Sequence, residues 1–269
     1  MRASYERGGR KITTGWSNTF RLLEGRLVEE ALKGKVAIVT GAGSGLGEAT
    51  AALLARAGVS VVVADVNEVR AKLVAESLRA EGGAAIAVGV DVSDAQEVQS
   101  CVDAALQTFG RIDFVINNAG TDYVLPITEM AVEQWDKVIQ VNLRSAFLFA
   151  KAVLPLMQKQ GGGHFVNVAS TAAKRAWANA SAYHASKWGL VGFTRALGVE
   201  GRPYGIKATT LVPGGMQTHF FDRLDPPPNP ANLQDPFNVA RTILFVLAQP
   251  PECAVQEVIV TPITETSWP

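Results

Sequence analysis

"VAIVTGAGSGLGEATAALLARAG", residues 36–58, is the stretch that decides the fold. An apolar run, VAIVT, passes into a glycine-rich turn and then into an Ala- and Leu-rich segment of helical period. Strand, glycine turn and helix in immediate succession make the opening βα unit of a parallel sheet. The glycines at 41, 45 and 47 follow the spacing G-x-x-x-G-x-G, which departs from the standard dinucleotide fingerprint G-x-G-x-x-G. The physical logic is the same. Glycines let the backbone turn tightly and approach a pyrophosphate, whose charge then lies at the positive end of the following helix. Gly41, Ser44, Gly45, Leu46 and Gly47 are therefore candidate phosphate contacts.

Working outward from this unit, short runs rich in Val, Ile and Ala alternate with segments of helical period. Strands are expected at Val36–Thr40, Val59–Ala64, Ala84–Val90, Phe114–Asn117, His164–Val168, Ile206–Val212 and Glu257–Thr261. Helices are expected at about 46–57, 68–81, 94–109, 131–158, 183–200 and 237–248. Strands that are apolar at nearly every position belong to a sheet covered on both faces. The expected architecture is a doubly wound, Rossmann-type α/β three-layer sandwich forming one domain over residues 34–269. "DRLDPPPNPANLQDP" is its one strongly loop-like stretch. Residues 1–33, rich in Arg, Ser, Thr and Gly and without a sustained apolar period, are expected to be a flexible extension.

The composition narrows the function classes. The 269 residues are 48% hydrophobic, and 25 Lys and Arg balance 25 Asp and Glu, so no global field favours nucleic acid or an anionic membrane. Cys101 and Cys253 are far apart, with no C-x-x-C and no His cluster at ligand spacing. Neither a metal site nor a disulfide framework is expected, and a cytoplasmic setting fits. No apolar run approaches the ~18 residues of a membrane span.

Two acidic residues end strands where a nucleotide's adenosine would lie. Asp65 stands about twenty residues beyond the glycines, placed to accept hydrogen bonds from ribose hydroxyls; capping the next helix is the other use of an aspartate there. Asp91 ends the third strand, where it could orient an adenine amino group with Val92 lining the ring, whereas Asp94 reads as a helix cap. Further on, "SAYHASKWG" at 181–189 puts Tyr183 and Lys187 four apart, on one helix face, with His184 pointing roughly 100° away. His184 is expected to be a surface or packing residue.

"TGAGSGLG", "NNAG" at 117–120, Ser170, and Tyr183 with Lys187, in this order and spacing, resemble the short-chain dehydrogenase/reductase family over Lys35 to Pro262. The resemblance implies a seven-stranded sheet, a nicotinamide cofactor, and a homo-oligomer, tetramer or dimer, built partly on the helices at 131–158 and 183–200. It implies Tyr183 as acid/base, Ser170 as the group bonding the substrate oxygen, Lys187 on the nicotinamide ribose, and Asn142 holding a water that connects Lys187 to solvent. Asn117, Asn118, Ala119 and Gly120 would line the cofactor. In "PGGMQT", Pro213 and Gly214 would shape the nicotinamide loop and Thr218 would contact the carboxamide or phosphates. "KATTLVPG" and the C-terminal "QEVIVTPITETSWP" depart from the family pattern, the latter lacking the glycine-aspartate-glycine ending that supports subunit contacts.

The chemistry implied has a physical requirement. A free phenol, with a pKa near ~10, is a poor base at neutral pH, so a fixed ammonium is expected to favour the phenolate; three units would correspond to about 4 kcal/mol. Substrate contacts are expected from Tyr123, Val124, Ala172, Ala173, Trp177, Met216, Phe220 and Phe221, an apolar and aromatic set suited to a nonpolar alcohol or ketone. Asp65, and the absence of a basic residue in the glycine turn or just after the second strand, favours NAD over NADP. Lys174, Arg175 and Arg223 leave open a carboxylate or a carrier-protein phosphate, hence a 3-oxoacyl-carrier-protein reductase using NADPH. A non-catalytic nucleotide sensor is the alternative of a different class.

Overall fold

The computed structural model describes residues 30–222 and 228–265. Most of the expected N-terminal extension, and Arg223, lie outside the described residues.

Seven strands form one parallel sheet: β1 Val36–Thr40, β2 Ser60–Asp65, β3 Ala85–Gly89, β4 Phe114–Asn117, β5 Gly163–Val168, β6 Ile206–Pro213 and β7 Glu257–Val260, in spatial order β3-β2-β1-β4-β5-β6-β7. Side chains alternate between faces along a strand, and here both faces are covered. On one, Ile38 is in register with Val62 of β2 and Val115 of β4, and all three belong to the core that contains Phe149 and Phe165. On the other, Val39, Val61 and Val63 pack with Leu54 and Ile243. This double burial makes the strand sequences continuously apolar.

The helices are α1 Gly45–Arg56, α2 Glu68–Ala80, α3 Ala95–Phe109, α4 Val132–Ile139, α5 Ser145–Gln160, α6 Ser181–Gly201 and α7 Pro236–Leu247. The single helix expected over 131–158 is interrupted. Gln140–Arg144 forms a π-helical turn between α4 and α5, centred on Asn142. The apolar stretch Val132–Gln160 has the length and hydropathy of a membrane-crossing helix, which the sequence expectation did not allow for. Phe149, Val153 and Met157 of this stretch are buried in the core beneath the sheet.

The strand order reverses direction at β1, whose neighbours are β2 and β4. The connections leave in opposite directions there, opening a crevice at the C-terminal ends of β1 and β4. The glycine turn and the NNAG segment both begin at that crevice.

Candidate active site

The glycine turn is a cradle that side chains would fill. Gly41 and Gly45 have φ of 62° and 58°, in the left-handed region that favours glycine. A Cβ on Gly47 would lie 2.1 Å from the Gly41 carbonyl oxygen. Ser44 begins α1 without a side-chain capping bond, so among the described residues no capping side chain takes up the first-turn N–H groups of this twelve-residue helix. Leu46 is buried behind the turn. Thr218 closes over the front, its Cγ2 lying 3.1 Å from where a Gly45 Cβ would be. A backbone cradle at a helix N-terminus fits the pyrophosphate of a dinucleotide.

Asp65 fastens the turn to β2. Its Oδ2 accepts from the Gly43 N–H at 2.8 Å and its Oδ1 from the Asn67 N–H at 2.9 Å, while Asn67, not Asp65, caps α2. Arg70, in the first turn of α2, is a basic residue that the expectation of NAD did not weigh. It begins beside Asp65, because a Cβ on Gly43 would lie 2.9 Å from both the Arg70 Cβ and the Asp65 Oδ2. Asp91 is more committed than expected: its Oδ1 accepts from the Ser93 N–H and hydroxyl, and its Oδ2 pairs with Lys137 at 3.0 Å. Partial burial works against ionisation, but Ser93 and Lys137 outweigh it and hold the carboxyl at about 2. The Val92 side chain is buried in the core. Asp94 caps α3, accepting from Gln96 and Glu97.

Thr40, which sequence reading missed, joins NNAG to the glycine turn. Its hydroxyl accepts from the N–H groups of Asn118 and Ala119, each at 3.0 Å. The Asn118 side-chain amide donates to the carbonyls of Thr40 and Gly41. Asn117 turns away into the core, donating to Asn167, which donates to Thr194 of α6; it therefore does not line the crevice as expected. Gly120 packs against the buried lysine of α6, a Cβ there standing at an ordinary contact distance of 3.7 Å from the Lys187 Nζ. At the far side, Pro213 ends β6, and Gly214 lies so close to Pro262 that a Cβ would be 2.9 Å from the proline Cδ.

Tyr183, Lys187 and Ser170 meet at this crevice. Lys187 is buried, its Nζ 5.6 Å from the Tyr183 ring centroid and donating to the Val168 carbonyl at 2.7 Å. Burial pushes the ammonium down to about 8, against the opposing pull of Asp122. Burial likewise pushes the Tyr183 phenol well above its ordinary value; the Ser170 hydroxyl beside it favours the ionised form, and the Asp122 charge disfavours it. This corrects the expectation of a phenol depressed by Lys187: in a buried site desolvation outweighs the other influences. The Ser170 hydroxyl also accepts from the Ala172 N–H at 3.1 Å.

Asn142 has a task that the sequence did not announce. Its Oδ1 accepts from the Thr121 N–H at 2.8 Å, and its Nδ2 donates to the Thr121 carbonyl and the Ser186 hydroxyl. The side chain thus clamps the segment after NNAG to the π-turn and α6, using both amide hydrogens and one lone pair of the oxygen. Ser186 in turn donates to the Tyr183 carbonyl at 2.7 Å. Asp122 was missed because nothing in "NNAGTD" announces that its carboxyl comes beside Tyr183 and Lys187. Burial raises it to about 6, opposed chiefly by the Tyr123 N–H, with the Lys187 charge pulling the same way. Phe220 stands over the tyrosine, ring centroids 5.7 Å apart, and meets Phe221 edge-on.

The described geometry agrees with comparisons to known proteins. Residues 35–228 match the family model described as short chain dehydrogenase. The chain belongs to the short-chain dehydrogenase family. An uncharacterized oxidoreductase of Staphylococcus aureus strain N315 is 36% identical over 232 residues, covering 86% of this chain and 99% of the relative. A 7α-hydroxysteroid dehydrogenase complexed with NADH and 7-oxo glycochenodeoxycholic acid superposes with a TM-score of 0.81 at 29% identity, covering 87% of this chain and 96% of that one. An alcohol dehydrogenase of the archaeon Thermococcus sibiricus, complexed with 5-hydroxy-NADP, gives 0.80 at 28%, covering 86% and 97%. This short-chain dehydrogenase is thus an oxidoreductase of a family that binds a nicotinamide cofactor and acts on small molecules.

Proposed function

We propose that this short-chain dehydrogenase interconverts a secondary alcohol and a ketone with NAD(H), using Tyr183 as the acid/base. The observation that carries this reading is the buried Tyr183 phenol with Ser170 beside it and Lys187 one helical turn on, at the crevice bordered by the glycine cradle. When bound, the nicotinamide supplies or takes the hydride. In the reducing direction Ser170 bonds the ketone oxygen and Tyr183 gives that oxygen its proton, a task suited to a phenol that burial keeps protonated at neutral pH. The Lys187 ammonium stabilises the phenolate left behind.

Asp65 supports NAD(H). A ribose diol can donate to its carboxylate, whereas a 2′-phosphate would set negative charge against it. At ~4 Å and an effective dielectric near ~20 that repulsion is about 4 kcal/mol before solvent and side-chain motion reduce it, and only about 1.4 kcal/mol is needed for a tenfold preference. Arg70 offsets part of it. Against the carrier-protein alternative, Lys174 is paired with Glu257 at 2.5 Å and the Arg175 guanidinium lies 5.4 Å from the Trp177 ring, so neither is a free docking charge. Against a sensor, a ligand-binding protein has no use for a proton donor. The half-exposed Phe147 and Trp188, on α5 and α6, support a homo-oligomer. The widely separated free thiols, with Cys101 buried and pushed up to about 12, agree with a cytoplasmic setting.

The test is a panel of secondary alcohols, ketones, hydroxy acids and acyl thioesters, followed by nicotinamide absorbance with each cofactor, on a preparation weighed by light scattering. Expected are turnover of a nonpolar alcohol or ketone, at least a tenfold higher kcat/KM for NAD(H), and a mass that is a multiple of 28.6 kDa. Turnover confined to acyl thioesters with NADPH would establish the carrier-protein reading instead.

A further inference from the structure

His184 is buried next to Tyr183 on α6, and it is not idle. Its Nε2 lies 3.0 Å from the Trp177 main-chain nitrogen, and its Nδ1 lies 2.8 Å from the Ala172 carbonyl oxygen. A main-chain N–H can only donate and a carbonyl can only accept. Nε2 is therefore the bare nitrogen, and Nδ1 carries the proton that it donates to Ala172. The Trp177 indole meets the imidazole edge-on, with centroids 4.4 Å apart. One neutral ring thus fastens both ends of the segment 172–177 to the helix that carries Tyr183.

That segment runs from Ser170, beside Tyr183, out to the exposed Trp177 indole. At its start, the Ala172 N–H bonds the Ser170 hydroxyl, and Ala172 packs with Ala180 against Tyr183. At its far end, Asn179, in a left-handed conformation with φ of 65°, accepts from the Leu125 N–H at 2.8 Å, joining this stretch to the segment after NNAG. Between these points the Trp177 indole, partly exposed, is held by His184 at its edge and by Arg175 over its ring. Without the imidazole, the described residues offer no other bond to the Ala172 carbonyl or the Trp177 N–H.

We propose that His184 is a positioning residue for the substrate, setting the Ala172–Trp177 wall so that a ketone reaching from Ser170 to the Trp177 indole is held for reaction. The proposal rests on the ketone-reductase reading for its substrate and on the two hydrogen bonds alone for the wall. His184 touches neither the reacting atoms nor the cofactor cradle, so its removal acts on KM for large ketones and leaves the chemical step and NAD(H) affinity nearly intact.

The test compares His184→Phe, which keeps a ring and loses both hydrogen bonds, with His184→Asn, whose amide can still donate to Ala172. Two measurements are made on each folded variant: tryptic cleavage after Lys174 and Arg175, timed by mass spectrometry, and steady-state kinetics with a small and a bulky ketone. Expected for the Phe variant are cleavage at least tenfold faster, a roughly tenfold higher KM for the bulky ketone, less than threefold change in KM for the small one, and an unchanged NADH dissociation constant. The Asn variant recovers part of both effects. Wild-type cleavage rates in the Phe variant overturn the clip, and KM changes equal for both ketones, or matched by lost NADH affinity, overturn the substrate role. If the wild-type enzyme reduces no ketone, the function proposed above fails along with this substrate role, and the cleavage rates still decide whether the clip exists.

Discussion

Among individual residues, the difference between reading a side chain's direction and knowing what lies there is plainest at His184 and Arg70. Helical geometry places His184 about 100° from Tyr183 around the α6 axis, and the structure agrees. What sequence spacing lacks is the 171–180 segment folding back over that face, which turns a packing residue into a clip. Arg70 is similar: five residues past Asp65, it lies beside that carboxylate because Gly43 brings the turn against the start of α2. A 2′-phosphate at this ribose would be repelled by the Asp65 carboxylate and attracted by an Arg70 guanidinium that reached it. Replacing Asp65 by Ser removes the repulsion and leaves the guanidinium, so the ratio of NAD(H) to NADP(H) kcat/KM is expected to fall at least tenfold. A ratio unchanged in Asp65→Ser would show that the carboxylate, held by two N–H groups, does not govern cofactor choice.

For strands and helices, legibility followed burial. The bounds expected for β1 and β4 are those observed, and the other strands shift by a residue or so at their ends, since each is a short, largely apolar run. The interruption at Gln140–Arg144 was not legible. A π-turn adds one residue to a helix without disturbing its apolar content, and nothing in "IQVNLR" marks it. Its consequence becomes visible only when Asn142 is seen clamping Thr121 on one side and Ser186 on the other. The helix that carries Tyr183 and Lys187 was legible because they stand a turn apart; the short turn His219–Phe221, which brings Phe220 over Tyr183, has no periodicity to read.

The molecule as a whole carries a buried histidine under its sheet that bears on its stability. His164 lies on β5 with its Nε2 2.8 Å from the Thr209 hydroxyl, which itself donates to the Val255 carbonyl. Burial, with Lys207 nearby, pushes the imidazole down to about 3. The unfolded chain takes up this proton below an ordinary value near ~6.5 and the folded chain does not, so stability is lost as pH falls from about 6.5 towards 3, by up to about 1.4 kcal/mol per unit. Asp122, raised to about 6, binds its proton in the folded state first and offsets part of the loss between about 6 and 4. Thermal midpoints of the wild type are expected to fall more steeply between pH 6.5 and 4.5 than those of His164→Gln, and parallel curves would contradict this account.

The central claim for the whole molecule is that its fold brings a nicotinamide cradle and a proton-transferring tyrosine to one crevice. Tyr183→Phe tests it most directly, because the ring that packs with Ala172 and Ala180 remains and only the oxygen is removed. The measurement is single-turnover oxidation of NADH at a saturating ketone, alongside NADH affinity by fluorescence. The account predicts an unchanged dissociation constant with the hydride-transfer rate reduced at least a hundredfold, a loss of about 3 kcal/mol or more of transition-state stabilisation. A Phe variant that turns over at more than a few per cent of the wild-type rate would contradict it.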